Sequence, residues 1–255
     1  MSNRFTLPFR PLDYIAGPHD YTGDDILGYR TNDATQRYVL GTRAMTWDGK
    51  VFRYYKTGTA TASYQRALFY NDTGDVTYEA PAAAAPAGGT EIIIAEGSIT
   101  KDQFSGGYLL LFHATGDGAV YSIAGNEATV GSNFTCYLAE PLGVAVTTSD
   151  NLEMYISPYA DLRSGTTATK AWGGIPAQGI MTSGYFGWLQ TWGPCFISPQ
   201  ATVGENQTQT GYFRNDGSID TRGNVDTGVC DQIAGHTLIG GAAGNGPLFL
   251  LQVNI

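Results

Sequence analysis

Along most of this chain apolar and polar residues alternate with a period of two, in short runs broken by Gly, Asn and Asp. That period marks a strand with one face on a core; a helix would repeat its apolar positions three and four apart. The pattern starts in QRYVLGTRAMTWDGKVFRYYKT (36–57). Alternation in Tyr38–Leu40 and Val51-Arg53-Tyr55 flanks Trp47-Asp48-Gly49-Lys50, and Asp-Gly predicts a two-residue hairpin turn. Glu91–Ala95 reads as a short apolar strand, and GYLLLFHATGDGAVYSIAG (107–125) as two strands joined at Thr115-Gly116-Asp117-Gly118. FTCYLAEPL (134–142) and NLEMYISPY (151–159) follow. The last third continues in the same style at 184–198, 201–204, 210–214 and 235–255. Short strands at regular intervals with turn signals between them predict an all-β protein, with short antiparallel strands in one or two β-sandwich or barrel units.

Four segments depart from the alternation. Residues 1–35 hold too many prolines and glycines for a helix or long strand, yet they are too aromatic for a free linker. They predict an extended N-terminal arm laid along a neighbouring surface. TGTATASYQRALFYNDTG (57–74) is rich in small residues and predicts one short helix around Ala62–Phe69. APAAAAPAGG (80–89) predicts a hinge, because its prolines stop an alanine helix. RSGTTATKAWGGIPAQG (163–179) predicts an exposed loop, suited to insertion into a partner. The expected organisation is therefore an arm plus hairpin over 1–89, a β unit over 90–162, a loop over 163–183 and a C-terminal β unit over 184–255, which could form one domain with 90–162.

Composition narrows the function. Charged residues make up 15% of the chain, against about 25% in a typical soluble domain. Polarity thus comes from Gly, Thr, Ser, Asn and Gln, as suits a turn-rich sheet protein partly covered by neighbours. The net charge of −9 is uneven: residues 1–66 carry nine Lys/Arg against six Asp/Glu, and the remainder five against seventeen. An acidic body argues against nucleic acid, whose phosphates need Lys and Arg to displace counterions. A basic leader could dock on an acidic surface. No apolar run of membrane-spanning length occurs, and MSNRFTLPFRPLDYIAG has no apolar core of a signal peptide, so neither a membrane nor secretion is expected.

Candidate chemistry is sparse. Cys136, Cys195 and Cys230 have no metal or redox spacing and read as small buried hydrophobes. His19, His113 and His236 lie far apart, with no ligand partner at a metal spacing. No GxSxG elbow is present, and the glycine run at 240–246 lacks the Lys-Ser/Thr of a phosphate loop. Asn71-Asp72-Thr73-Gly74-Asp75 and Asn215–Asp220 offer oxygens to calcium, but Asn and Asp fill turns for conformational reasons too. Glu140, Asp150, Glu153 and Asp161 could supply a carboxylate pair for glycoside cleavage. Tyr185, Phe186, Trp188 and Trp192 could supply a core or a carbohydrate platform, the two tryptophans sharing a face because they are four apart. No catalytic residue, metal site or cofactor is expected.

Beyond these readings, GGYLLLFHATGDGAVYSIAGNEA and TCYLAEPLGVAVTTSDNLEMYISPY (106–128, 135–159), followed by GIPAQGIMTSGYFGWLQTWGPCFI (174–197), resemble structural proteins of tailed-bacteriophage virions. The likeness covers roughly 90–255 and is most specific in the aromatic segment. It implies a non-enzymatic capsid decoration (cement) protein on the outer surface of the virion, assembled in the host cytoplasm. Its partners would be the major capsid protein and sister copies of itself, as a homo-oligomer. The arm is then the expected anchor, through Arg4, Phe5, Phe9, Arg10, Tyr14, Tyr21, Tyr29 and Arg30. The alternative is a head- or tail-fibre adhesin that places Trp172, or an exposed Trp of 184–197, on a host surface glycan.

Overall fold

The computed structural model describes residues 32–46, 48–59, 66–71, 75–114, 118–165, 170–177, 181–205, 209–222, 229–242 and 245–253. Among them there is no helix, and every pair of named strands is antiparallel. The chain forms two compact units. The first takes in the chain up to Tyr38, Thr42–Phe69 and Ser164 onward; the second takes Val39–Gly41 and Tyr70–Arg163.

The first unit holds a nine-stranded sheet. Its strands are β1 (Arg43–Met45), β2 (Val51–Lys56), β3 (Leu68–Phe69), β10 (Trp172–Pro176), β11 (Phe186–Cys195), β12 (Thr210–Arg214), β13 (Ile219–Asp220), β14 (Val229–Ile239) and β15 (Leu248–Gln252). The main path runs β1-β2-β11-β15-β14-β12-β13, with β10 pairing β11 and β3. Strand β11 is the hub: β2 lines one edge, while β10 and β15 share the other. Trp172, Phe213, Phe249 and Leu251 are fully buried in its main core. The Arg214 guanidinium and Asp220 carboxylate form a buried pair at 3.0 Å beside that core.

The second unit is a six-stranded sheet ordered β4-β9-β6-β7-β8-β5. Its strands are β4 (Val76–Glu79), β5 (Glu91–Ile94), β6 (Tyr108–Phe112), β7 (Gly118–Asn126), β8 (Phe134–Leu138) and β9 (Asn151–Tyr155). Inward positions alternate as the pattern predicts: Ile92 and Ile94, Leu109 and Leu111, Phe134 and Cys136, Leu152 and Met154 are all buried. The chain leaving β4 then pairs with the free edge of β5, through a Pro81–Ile94 bridge and the Ala82 N–H donating to Ile93 O at 2.8 Å. The outer strands thus meet, giving a rolled, barrel-like sheet around its core. Such closure removes sheet edges that would otherwise expose unpaired backbone.

Several expectations are corrected. Residues 80–89 are not a hinge between domains: they lie inside the second unit, where Pro81 and Ala85 both form bridges, the latter with Val146. The second unit starts at Tyr70 rather than 90, and the C-terminal strands join β1 to β3 rather than standing as a separate unit from 184. No helix occupies Ala67–Phe69, whose last two residues are β3; residues 60–65 lie outside the described residues. The expected loop 163–183 contains β10, all five residues of which are buried, and also the buried Met181. Finally, the hairpin loop is longer than the two residues that Asp-Gly suggested. The Thr46 N–H donates to Lys50 O at 3.0 Å, the Gly49 N–H donates to Thr46 O, and Gly49 sits at φ 83°. This is a three-residue loop closed by a glycine in the left-handed region.

Candidate functional site

The residues expected to anchor the arm, Arg4, Phe5, Phe9, Arg10, Tyr14, Tyr21, Tyr29 and Arg30, lie outside the described residues. The chemistry that the structure does place together is in the first unit, around β1, β2 and β11. There Arg43, Met45, Gly49, Val51, Arg53, Thr191, Trp192 and Val253 line an open groove of about 590 Å³, within the range of small-ligand sites.

A bulge in β11 makes this groove. Gln190 lies opposite Phe52, but Trp192 lies opposite Val51, so Thr191 is one residue too many for the ladder. The extra residue reverses which side the following side chains take. Trp188 pairs with Tyr54 and Trp192 with Val51, three positions away on β2 and therefore on the opposite face. Trp188 and Trp192 do not share a face, contrary to the four-residue spacing.

The consequences differ for the two rings. Trp188 is buried in an aromatic cluster with Tyr54, centroids 5.1 Å apart, and Tyr38, 5.3 Å away; Phe186 stacks on Tyr54 at 6.0 Å. Trp192 keeps 36% of its surface open. Of the aromatic residues considered as a platform, Phe186 and Trp188 are core and Trp192 is the open one in the groove. Trp172, the other expected sugar contact, is fully buried.

Gln190 holds the bulge. Its buried side-chain amide donates to the backbone carbonyls of Trp192, Gly193 and Pro194 at 3.1, 3.2 and 3.0 Å. Those carbonyls follow the point where the ladder to β2 breaks, on the stretch of β11 that pairs with β15. Gly193 completes the arrangement. At φ 99°, a side chain there would put its Cβ 2.9 Å from Lys50 Cα, so only glycine lets the hairpin loop lie against β11.

On the hairpin side, Arg43 faces Arg53 and Met45 faces Val51. The Tyr54 N–H donates to Thr42 O and the Thr46 N–H to Lys50 O. Arg43–Arg53 and Met45–Val51 are therefore the non-hydrogen-bonded pairs, whose Cα atoms approach to about 4.5 Å with side chains closest. Two like charges directly opposite one another cost stability. In the same hairpin Lys50 is engaged by Asp48 at 2.8 Å.

Elsewhere the candidate groups are tied into the fold. The Asp150 carboxylate accepts the Thr147 N–H at 2.7 Å and the Ala114 N–H at 2.8 Å, and lies 3.4 Å from His113 Nδ1. The Thr147 N–H holds its pKa below the ordinary carboxylate value against the opposing effect of burial, and the Ala114 N–H adds to this. Glu140 accepts the Ser122 N–H, Glu153 accepts the Tyr155 hydroxyl, and Asp161 is held by Arg163 and Asn71. The four carboxylates considered for glycoside cleavage thus each serve a different neighbour. In the two Asx-rich turns, Asp75 accepts the Ile156 N–H, while Asp216 accepts from Ser218 and pairs with Arg66 at 2.8 Å. No group of three or more His, Cys, Asp or Glu residues suited to a metal ion occurs among the described residues. His113 follows β6, and His236 is an exposed residue within β14. Burial pushes the thiols of Cys136 and Cys195 up to about 12, consistent with inert packing groups. Among the described residues no helix is long and apolar enough to cross a membrane.

Sequence reasoning missed Gln190, and Arg43 with Arg53. The available signal was the pairing of two arginines across a predicted hairpin; the bulge had none. Comparisons with protein-family models, with curated proteins and with solved structures find no match.

Proposed function

We propose that this chain is a structural protein of a bacteriophage virion, a decoration protein that binds the outer surface of the capsid lattice through contact area and performs no catalysis. One observation carries this reading: the outward side of β6 and its neighbours exposes several apolar and aromatic residues, set among the polar Ser122, Asn151 and Glu153. Strand β6, YLLLF, buries Leu109 and Leu111 inward. Outward it presents Tyr108, 42% exposed, and Phe112, 39% exposed, with Val120 of β7 at 63% alongside Leu110 in register. Tyr155 lies opposite Tyr108 on β9, and on β4 Tyr78 is 70% exposed at φ 57°. A strand that is apolar on both sides suits a sheet covered on both sides, and an open face of this kind marks an interaction surface. The assignment of that surface to a capsid comes from the resemblance of 106–128, 135–159 and 174–197 to phage virion proteins.

Co-sedimentation with empty capsids tests it. Tyr108→Lys/Phe112→Lys, changes at outward positions, is expected to lower capsid binding at least about tenfold, as for loss of an interface anchor, while the melting temperature is kept. Removal of residues 1–31, which spares the Asp33–Phe186 bridge, is expected to weaken binding further. Undiminished binding by both variants defeats the reading. The second reading, a fibre adhesin on host glycans, loses Trp172 to the core and keeps Trp192 in its favour.

A further inference from the structure

We propose that the groove between β1, β2 and β11 is a binding site for a carboxylate-bearing saccharide of the uronic-acid type, with Trp192 as the stacking surface and Arg43 and Arg53 as the carboxylate clamp. The inference gives a ligand class to the adhesin reading. It is independent of the docking face, because a sugar site serves a decoration protein and a fibre alike.

Three features meet in one cavity. Met45, Val51 and Trp192 form one cross-strand row, an apolar floor beside an indole ring with an open face. A flat apolar ring of this kind packs on the C–H face of a sugar, where a hydrated polar side chain would not. One step along the same face, Arg43 and Arg53 stand side by side. Two residues along a strand are about 7 Å, a span that one hexose ring with its carboxylate substituent covers. Guanidinium groups present paired N–H donors in a fork that matches a carboxylate. Both arginines also interact elsewhere in the chain, and with five donors each a guanidinium accommodates a further acceptor.

The construction of the site supports a ligand rather than chance exposure. The bulge at Thr191 turns Trp192 out of the face that Trp188 occupies, and bulges recur where a side chain must be re-aimed. Gln190 holds the bulged backbone through three carbonyls, and Gly193 admits the hairpin that carries the arginines. A long polyanion fits less well, because the net charge of −9 repels it at a distance; a single carboxylate held at short range does not meet that barrier.

The test titrates the full-length protein with a glucuronate-containing oligosaccharide, its neutral glucose counterpart and its phosphorylated counterpart, reading heat and tryptophan emission. The expected result is binding of the glucuronate ligand with quenching, and at least about tenfold weaker binding of the neutral sugar, the effect of losing a charge-assisted contact. Arg43→Gln/Arg53→Gln should abolish that preference with the melting temperature kept, and Trp192→Phe should bind while losing the quench. On the unaltered protein, added salt should weaken the acidic ligand and spare the neutral one, which guards against a variant that fails to fold. No binding of the glucuronate ligand, equal affinity for acid and neutral sugar, a preference that survives loss of both arginines, salt-insensitive binding, or tighter binding of the phosphorylated sugar overturns the proposal.

Discussion

Asp150 illustrates what single residues do in this protein. It stands between β6 and β9, neighbours in the second unit's sheet, and takes the backbone N–H groups of Ala114 and Thr147 that the loops leave without strand partners. Its pKa lies below the ordinary value of 3.8, first because of the Thr147 N–H and despite burial. A carboxyl whose folded pKa is depressed stabilises the fold above its unfolded pKa, and this contribution is lost as pH falls through the lower folded value. Asp150→Asn is accordingly expected to lose about 1.5–3 kcal/mol near neutral pH, the range for hydrogen bonds to a charged group. The gap to the unaltered protein should begin to narrow as pH falls below about 4, the unfolded value, and close only below the depressed folded value, where both carry a neutral side chain. Chemical denaturation across pH checks it; a gap independent of pH contradicts it. The sequence offered Asp150 only as one of four carboxylates, since its partners lie at backbone atoms whose positions depend on pairing.

At the scale of the element, β11 shows how one inserted residue determines a site. Its alternation gives a strand and its aromatics give a core, but the bulge at Thr191 assigns Trp188 inward with Tyr54 and leaves Trp192 in the groove. Gln190→Leu keeps the side-chain volume near constant and removes the donor to three carbonyls. Losing the bonds of this buried donor costs about 1–3 kcal/mol. The expected outcome is a loss of that size in urea denaturation, with a shift in Trp192 emission, measured against Trp192→Phe to isolate that ring. Unchanged emission would mean that the bulge does not depend on Gln190. A bulge leaves no mark in a period-two pattern, because the count of residues is set by what the partner strand does.

For the whole molecule, connectivity is the main finding. The second unit interrupts the first between β3 and β10, which pair with each other, Phe69 opposite Trp172. Within the second unit the two chain ends are also close: Asn71 Nδ2 donates to Asp161 Oδ2 at 2.5 Å, and Tyr70 packs edge-on against Tyr159. Adjacent ends are what an inserted domain requires, since the host strands can then pair as if it were absent. All six strands of the second unit lie within 70–163. That fragment is expected to fold alone, with an all-β circular dichroism spectrum and a cooperative melt; a spectrum of disordered chain would refute it.

The sequence by itself determined that the chain is all-β. It also located most of the strands from Glu91 to Tyr155 and along 184–255, because alternation and turn residues are local properties that each segment carries with it. It predicted the hairpin at 36–57 for the same reason. Only the tertiary structure decided that Trp172 is core rather than loop, that 80–89 closes a rolled sheet rather than separating domains, and that Trp192 joins Arg43 and Arg53 in one groove. Each of those depends on which distant strand lies alongside and in what register, and no local pattern records that: a segment states its own period, while its neighbour sets its face.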